Sequence, residues 1–227
     1  MRSSPYLRVM CSDSDAKTTL LLLVLLLGSL VPRAWASQAD PLWTEALRHI
    51  KAQQEWAAEE TDEAVVTEGR SGERKTFRVR RLFDSRFDGR PRYKLEEVTP
   101  SAMTSEAETI RIDEIVAHME SLVFTADAKI DRKHSELLDG VPAIRLDASA
   151  IAGTLQLWVD PATGTPLRYT LRASLPLLVS AEIKCEFRSS DVGLGFPARR
   201  THDIRIRIPF KGARLQSEVQ FSDWTRQ

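Results

Sequence analysis

The side chains that most often carry catalysis or bind metals are scattered in this sequence. No serine stands in the Gly-x-Ser-x-Gly pattern of hydrolase nucleophiles. Acidic residues are abundant, but in strand-like segments they alternate with Lys and Arg, which is typical of solvated cross-strand charge pairs. The sequence therefore predicts a protein that is not an enzyme and has no metal or cofactor. The histidines lie far apart, without the spacing of a zinc site, at His49, His118, His134 and His202.

The amino-terminal segment predicts export. Residues 20–31 form a mostly apolar, leucine-rich run that is shorter than the roughly 20 residues needed to span a bilayer. Ala34-Trp35-Ala36 follows, with the small-x-small pattern of a signal-peptide cleavage site. We predict that residues 1–36 are a signal peptide removed after Ala36, leaving residues 37–227 as a single periplasmic or secreted domain. An uncleaved signal anchor is the alternative.

The composition of this predicted mature chain limits its partners. It has 28 basic against 30 acidic residues, so it lacks the positive charge expected of a nucleic-acid-binding protein. It retains one cysteine, Cys185, and so has no intramolecular disulfide. Because Cys185 lies among apolar residues of a strand-like segment, we expect a small buried side chain rather than a reactive thiol.

The strongest pattern is a series of strand-like segments between residues 141 and 224. In residues 180–188 the apolar side chains alternate with charged ones, so they share one face of a strand. The turn signals Asp139-Gly140 and residues 160–164 separate such segments, and residues 191–197 are predicted as a glycine-containing loop. The pattern predicts an antiparallel sheet with one apolar face. That face includes Leu155, Leu157, Val159, Leu167, Tyr169, Leu171, Ala181, Ile183, Cys185, Phe187, Ile204, Ile206 and Ile208.

Two amphipathic helices are predicted to cover this face, because neither can bury its apolar stripe alone. Asp40 and Pro41 are a typical helix start, and the first helix is predicted to extend past Ala57 and to end in the acidic residues 59–63. Its stripe is Trp43, Ala46, Leu47, Ile50 and Ala57. The second stripe is Ile112, Ile115, Val116, Met119 and Leu122. Residues 64–68, 75–87 and 92–98 are predicted as further strands, with a polar linker at residues 99–107.

Two interpretations of the apolar face remain open. Several of its residues are small, so the helices either fill the space as an ordinary core or leave an apolar pocket. The segment 174–180 is almost wholly apolar, and we place it either at the rim of that pocket or within the chain's own core. Its rim candidates are Leu175, Leu177 and Leu178. The small inner residues are Ala148, Ala173, Ala181, Cys185, Ala213 and Ser217.

Arg81 is unusual because it falls on the apolar side of its predicted strand. A β-bulge or an edge position would explain it. The alternative is a partly buried guanidinium that reaches a specific partner.

The order of these features resembles the periplasmic lipoprotein-carrier (LolA-like) superfamily, which includes lipoprotein-sorting proteins, lipid carriers and envelope-stress sensor domains. The shared features are a signal peptide, a capped helix, strands, a second helical segment and a long antiparallel meander. Short phrases are similar too. They are Asp139-Gly140-Val141-Pro142-Ala143, Leu157-Trp158-Val159-Asp160, Thr163-Gly164-Thr165-Pro166-Leu167-Arg168 and Phe221-Ser222-Asp223-Trp224.

The resemblance implies an α+β fold: a curved antiparallel half-barrel, unclosed, with amphipathic helices on its concave apolar face. It implies a carrier that holds the acyl chains of a lipid or lipoprotein, with transient membrane contact and an envelope protein as further partners. Arg81 becomes the candidate inward arginine that fixes a helical lid. A sensor or protein-interaction module built on the same scaffold is the alternative. The expected cavity residues are Trp43, Leu47, Ile50, Phe77, Val79, Leu157, Val159, Tyr169, Leu171, Ile183, Phe187 and Ile206.

Overall fold

The computed structural model describes residues 40–69, 71–87, 90–110, 112–150, 153–175, 179–208 and 211–227. The predicted signal peptide and the rim residues Leu177 and Leu178 lie outside these ranges. The helices are α1 (Pro41–Gln53), α2 (Thr104–Thr109) and α3 (Ile112–Val123). The strands are β1 (Trp56–Gly69), β2 (Arg74–Phe87), β3 (Arg90–Thr99), β4 (Lys129–Leu138), β5 (Val141–Ala150), β6 (Gly153–Val159), β7 (Pro166–Leu175), β8 (Val179–Ser189), β9 (Gly195–Ile208) and β10 (Lys211–Arg226).

The strands form one antiparallel sheet in the order β3-β2-β1-β10-β9-β8-β7-β6-β5-β4. Most neighbours are consecutive in the chain, as short hairpin connections require. The exception joins the two ends of the domain, because β1 pairs with β10 from Trp56 opposite Arg226 to Gly69 opposite Ala213. Strands β3 and β4 are the two edges, so the sheet is unclosed. The predicted α+β half-barrel with helices on its concave face is confirmed.

Helix α1 begins as predicted but ends earlier. The Asp40 carboxylate accepts hydrogen bonds from the amides of Leu42 at 2.8 Å and Trp43 at 3.3 Å, and Pro41 occupies the first helical position. The helix stops at Gln53, and Trp56 already belongs to β1. The prediction of helix past Ala57 was therefore wrong, and the acidic residues 59–63 lie inside a long strand. Pairing with β2 and β10 on both sides outweighs the local helical periodicity.

Two further boundaries differ from the sequence prediction. The linker 99–107 contains a 3₁₀ turn, Ser101–Met103, followed by helix α2. The predicted loop at residues 191–197 is shorter, because β9 already begins at Gly195. The turn between β8 and β9 uses Gly193, whose φ of 74° is in the left-handed region that glycine tolerates.

The outer face of the sheet carries the predicted charge pairs. Arg172 of β7 lies opposite Glu182 of β8, and their side chains are 2.7 Å apart. Across β9 and β10, the side chains of Arg214 and Asp203 are also 2.7 Å apart. These solvated pairs mark the face that points away from the helices.

The apolar side of the sheet packs into two clusters. The larger joins α1 and α3 to strands β5–β9, and its buried members are Trp43, Ala46, Ile112, Val116, Val123, Leu146, Ala148, Leu155, Leu157, Val159, Tyr169, Leu171, Ala181, Ile183, Cys185 and Ile204. The smaller lies at the other end of the sheet, where Ala107 of α2 packs on β1–β3. It comprises Val65, Phe77, Val79, Val98 and Ala107.

Candidate functional site

The register of β7, β8 and β9 aligns the inward residues of the candidate site in rows. Tyr169 lies opposite Cys185, and Cys185 lies opposite Arg200. The next row places Ile183 between Leu171 and His202. Alternation along each strand therefore predicted the inward positions of β7 and β8 correctly. The sequence analysis missed the polar residues of β9 that end the two rows, Arg200 and His202.

The structure brings most of the expected cavity residues together, but not all of them. Phe77 and Val79 belong to the smaller cluster at β2, and Ile50 is half-buried on α1 outside both clusters of the described chain. Leu175 ends β7, and its side chain is outside the description. The residues in the larger cluster, or packed against it, are Trp43, Leu47, Leu157, Val159, Tyr169, Leu171, Ile183, Phe187 and Ile206.

An aromatic series connects α1 to the sheet. The Trp43 ring stacks on Phe124 at a centroid distance of 6.1 Å, and Phe124 meets Tyr169 edge-on at 5.4 Å. The Trp43 indole nitrogen donates to the carbonyl oxygen of Thr125 at 3.0 Å. Because Phe124 directly follows α3, these contacts fix α1 and α3 to each other as well as to β7.

The other side of α1 rests on the turn between β6 and β7. The His49 Nε2 atom lies 3.2 Å from the carbonyl oxygen of Thr163. Gly164 has a φ of 69°, and a Cβ placed there would lie 2.6 Å from the Cβ of Glu45. Only a glycine permits both this conformation and this close approach of the helix. At the end of α1, the Gln53 amide donates to the carbonyl oxygen of Gly195.

A charged cluster connects α3 to the inner face. Arg200 Nη2 of β9 lies 3.3 Å from a carboxylate oxygen of Glu120 on α3, and the side chains are 18% and 22% exposed. The Tyr169 hydroxyl donates to the same carboxylate. The Phe221 ring covers the guanidinium, with its centroid 5.5 Å from Cζ. Such a desolvated pair needs its partners, because an isolated buried charge is strongly unfavourable.

Burial and this ion pair together set the protonation of the cluster. Burial raises the pKa of Tyr169 well above its usual value, so the phenol remains a donor. Burial also raises the pKa of the Cys185 thiol to about 12. For Arg200 burial alone would lower the pKa, but the negative charge of Glu120, together with the interactions with Tyr169 and Cys185, outweighs burial, and the pKa is raised. The cluster therefore contains a permanent cation, a phenol and an unreactive thiol.

His202 is the neighbouring inward group on β9. Its side chain is 5% exposed, and its Nδ1 lies 2.8 Å from the hydroxyl oxygen of Ser217 on β10. Burial, with a smaller contribution from the charge of Arg200, lowers the pKa of His202 to about 3. The imidazole is therefore neutral at physiological pH and serves as a hydrogen-bonding group.

Arg81 lies at a β-bulge and also has a specific partner, so both explanations given for its position apply. The β2–β3 register shifts between Arg80 and Arg81, so a bulge is present. Arg81 also lies 2.6 Å from the carboxylate of Glu63 on β1, and that carboxylate is only 6% exposed. This partner belongs to a neighbouring strand, so a role of Arg81 in fixing a lid stays a prediction.

Arg200 is the inward arginine that the structure connects to a helix, and sequence reasoning missed it. The signal was present, because the alternation of Ile204 and Ile206 extends back through residue 202 to residue 200. Extending that parity into the basic pair Arg199-Arg200 would have placed one arginine on each face.

Two further observations concern the described residues alone. Among them, no three His, Cys, Asp or Glu side chains are grouped closely enough to hold a metal ion. None of the described helices is long and apolar enough to cross a membrane.

No family model matches the chain, and no curated protein sequence matches it. The chain is similar to the LolA superfamily protein NE2245 from Nitrosomonas europaea, at 14% identity over 85% of this chain and 94% of that one, with a TM-score of 0.38. It is also similar to a DUF1329 family protein from Desulfovibrio piger, at 12% identity over 85% and 94% of the two chains, with a TM-score of 0.36. The fold assignment rests on the strand order and register described above.

Proposed function

We propose that this protein binds the acyl chains of a lipid or lipoprotein between its sheet and its helices, and carries them in the periplasm. The proposed role needs no chemical step. The observation that supports it most is the imbalance of the larger cluster, in which five buried helix residues face eleven buried strand residues. Small side chains such as Ala148 and Ala181 occupy less of the strand face than larger aliphatic side chains would, so a linear apolar ligand between sheet and helices would pack against them.

In this proposal α1 and α3 act as the cover of the binding face. Acyl chains enter beside the apolar side of α1, which presents Trp43, Leu47 and Ile50. The pair between Glu120 and Arg200 holds α3 against the sheet when no ligand is present. A charged pair is suited to this because it gives one defined closed position, whereas apolar contacts alone tolerate several arrangements.

Lipid analysis tests the proposal directly. We expect residues 37–227, purified without detergent, to release acyl lipids on organic extraction. After delipidation they should bind a fatty acid with a dissociation constant in the micromolar range. A protein that carries no lipid and binds no fatty acid would contradict the proposal.

Tryptophan quenching locates the bound chain. A brominated fatty acid quenches only nearby indoles, so Trp43 on α1 should be quenched. Trp158, whose indole donates to Glu136 across β4–β6, should not be quenched. We therefore expect strong quenching to persist in Trp158→Phe and to fall sharply in Trp43→Phe. Equal quenching in both variants would mean that the fatty acid binds elsewhere, and would favour the interaction-module alternative for the sheet face.

A further inference from the structure

A pocket lies where the β8–β9 turn meets the start of β1 and the end of β10. Its volume is about 310 Å³. Four of its lining side chains are aromatic, and its polar lining comes from the end of β8, from the turn and from β10. None of the predicted cavity residues lines this pocket, and Phe221 is the residue that it shares with the Arg200 cluster.

Four aromatic rings form one wall of this pocket. Phe196 stacks on Trp224 with centroids 5.1 Å apart and planes 10° apart, and Trp56 packs against Phe196 at 5.1 Å. Phe221 meets Trp224 at 5.9 Å. The Trp224 indole nitrogen donates to the carbonyl oxygen of Pro197 at 3.0 Å, which fixes its ring. The wall is therefore rigid. Phe196 is 5% exposed and stacked on Trp224, so the half-buried Trp56, Phe221 and Trp224 supply most of its accessible aromatic surface.

Two carboxylates border the same pocket. Asp191 lies in the β8–β9 turn and Asp223 lies between the aromatic residues of β10. Both residues are exposed, and within the described chain neither side chain has an ion-pair or hydrogen-bond partner. Asp223 has a φ of 49°, a left-handed conformation that interrupts the regular strand beside Trp224.

The charge of the lining favours a cation. Arg188 is the one basic residue that lines the pocket, against two carboxylates, so the lining carries a net charge near −1. The faces of indole and phenyl rings attract cations through their quadrupoles, and Trp does so most strongly. Carboxylates at the edge of such a wall add Coulomb attraction for the same charge and repel anions.

We propose that this pocket binds a substituted ammonium group, which lies against the Trp56 and Trp224 rings with Asp191 and Asp223 beside it. The group belongs either to a free ammonium compound or to a zwitterionic lipid headgroup. In the second case Arg188 faces the phosphate. The proposal does not depend on acyl-chain binding between the sheet and the helices.

Choline and its neutral isostere 3,3-dimethyl-1-butanol are the matched probes, because they differ in charge but not in shape. We expect saturable choline binding to the purified protein, with a change in the fluorescence of Trp56 and Trp224. We expect the neutral isostere to bind at least about tenfold more weakly, because it lacks the cation. Absence of saturable choline binding, or equal affinity for the two probes, would overturn the proposal.

Two exposed-site variants test whether choline binds in this pocket. Asp191→Asn removes a charge from an exposed turn residue and should weaken choline binding about three- to tenfold. Asp127→Asn, at an exposed position outside the pocket, is the control and should leave it unchanged. Identical affinities in these two variants would also overturn the proposal, because choline would then lie elsewhere.

Phosphocholine distinguishes the two sources of the ammonium group. Tighter binding of phosphocholine than of choline, with the gain lost in Arg188→Gln, supports a lipid headgroup. Equal or weaker binding of phosphocholine supports a free ammonium compound.

Discussion

Arg200 of β9 and Glu120 of α3 form an ion pair of 3.3 Å on the concave side of the sheet. Arg199, the preceding residue, pairs with Glu218 at 2.7 Å on the opposite side of the same sheet. Adjacent arginines thus form one pair between sheet and helix and one pair within the sheet. The inner pair is less exposed than the outer pair, so comparing the two shows how much each ion pair contributes to the free energy of unfolding.

We predict that Glu120→Gln lowers the free energy of unfolding by about 2 kcal/mol, between the values typical of exposed and of fully buried pairs. The substitution keeps the shape of the side chain but leaves the charge of Arg200 unpaired beside Phe221. Glu218→Gln should lower it by less than about 1 kcal/mol, because that pair is exposed to solvent. Urea denaturation measures both losses of unfolding free energy. Equal losses would show that the inner ion pair contributes no more to stability than the exposed one.

The inward positions of β7 and β8 could be predicted from the sequence because alternation is a property of each strand alone. Tyr169 and Ile183 are examples. The end of α1 could not be predicted in this way, since Trp56 becomes a strand residue by pairing with Arg226 at the other end of the chain. Arg200 was missed for a related reason. Its strand begins at Gly195, in a stretch whose glycine and proline favour a loop locally.

We predict that Gly164→Ala destabilises the protein by about 2–4 kcal/mol. The new side chain would combine the strain of a left-handed conformation with a clash against Glu45 of α1. Gly193→Ala is the matched control, because its φ is 74° but an added Cβ meets no described heavy atom within 4 Å. It should lower the free energy of unfolding by only about 1–2 kcal/mol. If chemical denaturation gives the same loss for both variants, the close approach of α1 to the β6–β7 turn contributes nothing.

We predict that the Cys185 thiol is inert in the folded protein. Its raised pKa of about 12 and its burial leave almost no thiolate at pH 8. In residues 37–227, where Cys185 is the one cysteine, modification by a thiol reagent should be at least about 100-fold slower under native conditions than in denaturant. Fast modification of the native protein would mean that the face between α3 and β8 opens readily.

We predict that His202 makes stability fall between pH 7.5 and pH 5. Its pKa of about 3 in the folded protein lies far below the unfolded value near 6.5. As the pH falls below about 6.5, the unfolded chain therefore takes up a proton that the folded protein does not. This contribution to stability is complete above pH 6.5 and is progressively lost toward pH 3. At pH 5 the loss amounts to about 2 kcal/mol.

The variant His202→Asn tests this assignment, because asparagine does not titrate and can still form a hydrogen bond with Ser217. The difference in unfolding free energy between pH 7.5 and pH 5 should shrink by about 2 kcal/mol relative to the parent protein. The carboxylates with lowered pKa values, such as Asp203 and Glu182, lose their contribution only at lower pH, so they do not obscure this interval. A pH dependence that survives in His202→Asn would show that another group is responsible.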